Sequence, residues 1–196
     1  MRVIAGTFRS RVLKRPKELA LRPTSDMLRE TLFNVLGPRV TNSRFVDAFA
    51  GTGAVGIEAL SRGASEVIFL ENHAATAGLI KKNLELLEVR SGTRIMASDA
   101  LRGLERLDSE FRTGTLPVDI VFLDPPYAAA ADYRKVLSFL GSAKFFAPAS
   151  LVIAEHRHTF ELPEVFAGLQ RVRVLRQGEA SLSFYRFDLS SSSAAK

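Results

Sequence analysis

Asp124-Pro125-Pro126-Tyr127 follows directly on the apolar run Val118–Leu123, VDIVFL. Each proline fixes its own φ and removes an N–H donor while keeping its carbonyl acceptor. The segment reads as a rigid, acceptor-rich corner, formed by the Asp124 carboxylate and the Pro125 carbonyl beside the Tyr127 ring. That set suits an NH2 group on a flat heterocycle. The two acceptors take its two hydrogens, and the ring stacks on the base. The plain alternative is a proline-stopped strand end with a surface tyrosine.

A second constellation is Asp47-Ala48-Phe49-Ala50-Gly51-Thr52-Gly53-Ala54-Val55-Gly56, with Glu71 at the end of the next apolar run and Asp99 at the end of the one after. Glycines between a strand and a helix let a ligand approach the backbone, and an acid closing the second strand can bind ribose hydroxyls. Both features point to a nucleoside-containing cofactor, and NAD is one candidate. Asp47, however, precedes the glycines. A carboxylate there repels a pyrophosphate but suits a cationic amino group. S-adenosylmethionine carries an amino group and a ribose and has no phosphate, so it fits these charges better.

Both constellations need elements that bring strand ends together. Arg44–Phe49, Glu66–Glu71, Thr93–Ser98, Val118–Leu123 and Ser150–Glu155 read as strands. Between them, Ala54–Arg62, Ala74–Val89, Ala100–Phe111 and Asp132–Leu140 have helical spacing. Such alternation predicts an α/β, Rossmann-like, mostly parallel doubly wound sheet, whose ligands bind at the carboxyl ends of the strands. Arg171–Leu175 and Ser181–Leu189 flank Gly178 and predict a C-terminal antiparallel hairpin. Ahead of the first strand, Ser25 and Asp26 are good N-caps for a helix that Gly37-Pro38 ends. Phe145, Phe146 and Phe184 are expected in the core. The three histidines, His73, His156 and His158, lack metal-ligand spacing and are read as structural or solvent-facing.

The chain of 196 residues is 46% hydrophobic and 24% charged, which predicts one globular domain with a small appendage. It has no cysteine, which excludes disulfides, thiolate metal sites and cysteine nucleophiles. No apolar stretch approaches the roughly 18 residues of a membrane span, and the N-terminus has no signal-peptide core. A soluble cytoplasmic monomer is the expectation. The net charge of +6 is unevenly placed: residues 1–22 hold seven Lys/Arg and one acid, and the rest of the chain twenty of each sign. Concentrated positive charge suits a polyanion such as nucleic acid. Val3-Ile4-Ala5 and Val12-Leu13 are expected to form a short β-hairpin within this arm.

DAFAGTGAVGIEALSRGA, then Glu71, then Asp99-Ala100, then VFLDPPY, in this order and spacing, resembles class I S-adenosylmethionine-dependent methyltransferases acting on exocyclic amines. With RVIAGTFRSRVLKRP and LRPTSDMLRETLFNVL at the start, residues 1–189 resemble the bacterial small-subunit ribosomal RNA guanine-N2 methyltransferase family. DPPY is shared with DNA methyltransferases; the joined N-terminal and glycine motifs are far more specific. The resemblance implies that Asp47, Ala50, Gly51 and Gly53 line the methionine part of the cofactor, that Glu71 binds its ribose, and that Asp99 and Ala100 hold its adenine. It implies that Asp124, Pro125 and Tyr127 are catalytic, with Pro126 beside the substrate. It also implies that Arg22 and Thr24, in the RPT segment, close over the site, and that Arg9, Arg11, Lys14 and Arg15 grip RNA. No metal is implied. The domains are then a basic arm over 1–22, a methyltransferase domain over 23–189 and a disordered tail over 190–196.

Three rival readings stand beside it. A DNA or other RNA exocyclic-amine methyltransferase shares the motifs, but a DNA enzyme normally needs a larger target-recognition region. A dehydrogenase leaves DPPY and Asp47 unexplained. A non-enzymatic ribosome-assembly module accounts only for the arm. The expected partner is ribosomal RNA or the small ribosomal subunit, with no membrane.

Overall fold

The structure is a computed structural model describing residues 1–15, 25–126 and 130–187. The tail expected over 190–196 lies outside them. The chain divides into two compact units, Met1–Gly103 and Leu104–Lys196.

In the first unit, α1 (Asp26–Leu36) starts where the Ser25 hydroxyl accepts the Leu28 N–H at 3.1 Å. This satisfies one of the amide donors that a helix start leaves orphaned. Leu28, Leu32, Phe33 and Leu36 form its buried stripe. Gly37, at φ 53°, turns the chain out of α1 into a single 3-10 turn. The strand–helix alternation follows: β1 (Arg44–Asp47), α2 (Ala54–Ser61), β2 (Glu66–Leu70), α3 (Ala74–Leu86) and β3 (Thr93–Met96). The strands are parallel in the order β3-β2-β1, with Asp47 beside Phe69 and Leu70 beside Met96. All of β1 is buried, as parallel strands covered on both faces require. α2 lies close over β2, since a Cβ on Gly56 would come within 2.3 Å of the Phe69 ring.

Residues 1–15 fold back on themselves with one β-bridge, Arg2 to Val12. The expected short hairpin forms: Val3 N–H donates to the Arg11 carbonyl at 3.0 Å, Ser10 N–H to the Val3 carbonyl at 2.9 Å and Leu13 N–H to the Met1 carbonyl at 3.1 Å. Other amides of the arm turn to side chains of α2: Ile4 and Ala5 N–H donate to the Glu58 carboxylate at 2.8 and 3.0 Å, and Phe8 N–H to the Ser61 hydroxyl. Gly6 permits this approach, because any Cβ there would overlap the Ser61 carbonyl.

The second unit carries β4 (Val118–Leu123), α5 (Ala130–Leu140), β5 (Phe146–Arg157), β6 (Val165–Phe166), β7 (Leu169–Gln177) and β8 (Ala180–Phe187), after α4 (Ala100–Arg112). The order is β4-β5-β8-β7-β6, with β4 and β5 parallel and the remaining pairs antiparallel. The fold is the mixed α/β arrangement the alternation predicts, mostly parallel and ending in an antiparallel hairpin turned at Gly178. β5 runs past the expected Ser150–Glu155 because β8 pairs with its far end, His156 with Ser181 and Arg157 with Ala180. Among the described residues, no helix is long and apolar enough to cross a membrane.

Candidate functional site

β1 delivers Asp47 to the start of the glycine turn. The Asp47 side chain is buried, and its Oδ2 accepts the Gly56 N–H at 3.0 Å. The carboxylate thereby ties the end of β1 to the first turn of α2. Burial pushes its pKa up to about 7; the Gly56 hydrogen bond opposes this and the nearby Glu71 charge adds to it. Gly51 and Gly53 both have positive φ, 52° and 79°. They differ in their surroundings. A Cβ on Gly53 would press on Ile80 at 3.2 Å, so packing demands that glycine. A Cβ on Gly51 would meet only the Phe49 carbonyl at 3.9 Å, which leaves the backbone there open to an incoming group. Ala50 anchors the turn by donating its N–H to the Leu70 carbonyl at 3.0 Å.

Glu71, just past β2, accepts the Gly51 N–H at 2.8 Å and the His73 N–H at 2.7 Å, one on each carboxylate oxygen. It therefore shapes the glycine turn as well as closing its strand. A carboxylate offers about four acceptor positions, so capacity for two hydroxyls remains. Asp99 is half-exposed, and its Oδ1 accepts the Arg102 N–H at 3.0 Å, which makes it a cap for α4. Its Oδ2 lies 3.5 Å from Arg102 Nε. Ala100 is buried beside it. The first unit thus places carboxylates after three neighbouring strand ends. This donor set fits the cationic, phosphate-free S-adenosylmethionine, and it opposes a dinucleotide pyrophosphate.

In the second unit, Leu123 pairs with Ala154 of β5, which fixes where Asp124 leaves the sheet. Asp124 is half-buried, Pro125 buried and Pro126 exposed, so the corner offers its carboxylate from a packed base. Tyr127 lies outside the described residues, as do Arg22 and Thr24.

Arg9, Arg11, Lys14 and Arg15 are all exposed on the arm. The residues that seat them were not singled out from sequence. Glu58 is fully buried; besides the two arm amides it holds Arg62 Nε at 2.8 Å and lies 3.7 Å from the equally buried Arg29. Asn83 is also fully buried. Its Oδ1 accepts the Lys14 N–H at 2.8 Å, and its Nδ2 reaches the carbonyls of Lys14 and Thr52, each at 3.2 Å. One side chain therefore links the basic arm to the glycine turn. The available signal was a polar residue inside an apolar stripe, Glu58 in AVGIEALS and Asn83 between Ile80 and Leu84.

A glycine turn after the first strand, acids closing the strands and an acceptor corner after the fourth define a Rossmann-like methyltransferase fold. The family model described as "Conserved hypothetical protein 95" matches residues 1–186. Ribosomal RNA small subunit methyltransferase D of Escherichia coli is 34% identical over 186 residues, covering 95% of this chain and 89% of that protein. The solved structure of Escherichia coli yhhF superposes with a TM-score of 0.81 at 32% identity, covering 96% of this chain and 98% of that one. The chain belongs to this family, that of ribosomal RNA small subunit methyltransferase D. A Thermus thermophilus 16S rRNA N2 methyltransferase, solved with AdoMet and guanosine, shares the fold at 20% identity and a TM-score of 0.66, covering 88% of this chain and 45% of that one.

Proposed function

We propose that this protein transfers a methyl group from S-adenosylmethionine to the exocyclic 2-amino group of one guanine in small-subunit ribosomal RNA, in the cytoplasm. The observation that carries the reading is the Asp124-Pro125-Pro126 corner, held half-buried at the carboxyl end of β4 in a chain of this family. The cofactor supplies an electrophilic methyl group on a cationic sulfur that leaves as a neutral thioether. Asp47 would receive its ammonium, Glu71 its ribose hydroxyls, and Asp99 and Ala100 its adenine, along the turn of Ala50, Gly51 and Gly53, whose backbone is open at Gly51.

A guanine amino group is a poor nucleophile because its lone pair is delocalised into the ring. The Asp124 carboxylate and the Pro125 carbonyl accept its two hydrogens and turn the lone pair toward the methyl carbon. The N–C bond forms as the C–S bond breaks, and the displaced proton is held at Asp124. Tyr127 stacks on the base, which must leave its RNA stack to reach this corner, with Pro126 beside it. Arg22 and Thr24 close over the base. Arg9, Arg11, Lys14 and Arg15 hold the phosphate backbone. Most of the acceleration is positioning and local electrostatics.

Asp124→Ala tests the reading. Removing one preorganised electrostatic group of this kind costs about 100-fold or more in rate. Melting temperature and cofactor affinity stay near parental values, and Asn at this position is milder because its amide oxygen still accepts one hydrogen. A folded Asp124→Ala protein that methylates RNA at the parental rate overturns the mechanism.

A further inference from the structure

The second unit holds a cavity of about 630 Å³ that none of the roles above uses. Arg134, His156, His158, Phe160, Arg176 and Ser181 lie along it. Strand register explains the grouping. His156 of β5 pairs with Ser181 of β8, and Ser181 with Arg176 of β7. Imidazole, hydroxyl and guanidinium therefore form one row across three strands, on one face of the sheet.

Their states differ. His156 is fixed: its Nδ1 lies 2.9 Å from the Arg157 carbonyl and its Nε2 2.8 Å from the Ser183 hydroxyl. Nδ1 faces a carbonyl and so donates, and burial lowers the ring's pKa. Ser181 is 1% exposed, and its Oγ has no hydrogen-bond partner among the described residues. A buried hydroxyl without a partner is an exception among native polar groups and marks a place where a ligand or water is expected. Arg171, on the same wall, is engaged by the Leu162 carbonyl at 2.7 Å and the Glu164 carboxylate at 3.2 Å. Glu161 is the remaining acid. Arg134, His158 and Arg176 present exposed side chains.

The cavity also lies near the proposed chemistry. Leu123 pairs with Ala154, so His156 stands two residues further along β5 than the strand end that releases Asp124. With strands ~4.8 Å apart and ~3.3 Å of rise per residue, the row begins roughly 8 Å from that end, within the reach of one nucleotide.

We propose that this cavity seats one nucleotide of the RNA substrate adjacent to the target guanine, its phosphate against Arg134 and Arg176 with the Ser181 hydroxyl donating, and its base against Phe160. Guanidinium forks match phosphate oxygens, and aromatic rings take bases of any sequence. Only the identity of the strand rests on the functional reading above; the anion chemistry stands on the cavity itself.

The test is an NMR titration of the full chain, following the His158 ring and the Arg176 Nε–H, with a single-stranded RNA hexamer and separately with inorganic phosphate. The hexamer is expected to move both signals, and phosphate to move them only at much higher concentration. Combined Arg134→Gln and Arg176→Gln should weaken hexamer binding about tenfold or more and lower the salt slope by about 0.7 for each phosphate no longer neutralised. Ser181→Ala should weaken it several-fold without lowering the melting temperature, since it removes an unpartnered hydroxyl. In methyl transfer, the double variant should raise KM for ribosomal RNA and keep kcat, with S-adenosylmethionine affinity unchanged. Unmoved signals, saturation by phosphate but not by RNA, or parental hexamer binding by the double variant each overturn the proposal. Hexamer binding in the cavity by a protein that methylates no ribosomal RNA sinks the functional reading and leaves the subsite standing. Parental KM for ribosomal RNA in the double variant sinks the subsite and leaves the function standing.

Discussion

Replacing Asp47 by Asn should stabilise the cofactor-free protein, and by an amount that grows with pH. The carboxyl is 2% exposed and its pKa rises from 3.8 to about 7, chiefly through burial, against the Gly56 hydrogen bond and with Glu71 adding to the rise. For an acid whose folded pKa lies above its unfolded value, the native state binds more protons between the two, so stability falls as pH climbs through that window. The window runs from 3.8 to about 7. At ~1.36 kcal/mol per pH unit, crossing it costs the native state on the order of 4 kcal/mol. Asn has no charge to bury, and its amide oxygen can still accept the Gly56 N–H. The assay is urea unfolding of parent and Asp47→Asn from pH 4 to pH 8.5. The stability difference should be small at pH 4, rise toward about 4 kcal/mol by pH 7–8 and then level off. S-adenosylmethionine should reverse the ranking at pH 8, because its ammonium pairs with the ionised carboxylate and has no such partner in the variant. A difference independent of pH would refute the burial argument, and a variant that binds cofactor as the parent does would remove Asp47 from the ammonium site.

Other expectations follow from the same interactions. Glu58→Gln removes the buried carboxylate beside Arg29, which keeps only the half-exposed Asp26 at 3.0 Å, and should cost about 3–5 kcal/mol in chemical denaturation. Hydrogen exchange at the Ile4 and Ala5 amides, which donate to that carboxylate, should accelerate with it. Glu71→Ala should weaken S-adenosylmethionine binding by about 1–3 kcal/mol in calorimetry, since it removes ribose acceptors and releases the Gly51 N–H. Neutralising Arg9, Arg11, Lys14 and Arg15 together should lower RNA affinity and flatten its salt dependence by roughly 0.7–0.9 for every phosphate the arm ceases to neutralise, with cofactor binding intact. An unchanged salt slope would reduce the arm to a solvated surface.

The parts legible from sequence are those whose signal is local. A buried parallel strand must be apolar throughout, so VDIVFL announced β4, and the two prolines after it marked where it stops. Glycines and caps likewise marked the turn after β1 and the start of α1. Long-range pairing left weaker traces. β5 outran its apolar core because β8 supplies partners to His156 and Arg157, polar residues that resemble a loop on their own. β6 has only two residues, Val165–Phe166, too few for any period to show. The arm's β-like composition announced its own pairing, but not its anchoring, since Glu58 and Ser61, more than fifty residues away, take three of its amides. The row of His156, Ser181 and Arg176 exists only through register, and nothing in three separate segments of sequence announces it.

The most direct measurement of the central claim is mass spectrometry of small-subunit ribosomal RNA nucleosides from cells with and without this protein, followed by treatment of the deficient RNA or subunits with purified protein and S-adenosylmethionine. The account predicts that one N2-methylguanosine disappears in the deficient cells and returns on treatment with the parent protein but not with Asp124→Ala. An unchanged N2-methylguanosine content, or a restored methyl group on any other base or position, would contradict it.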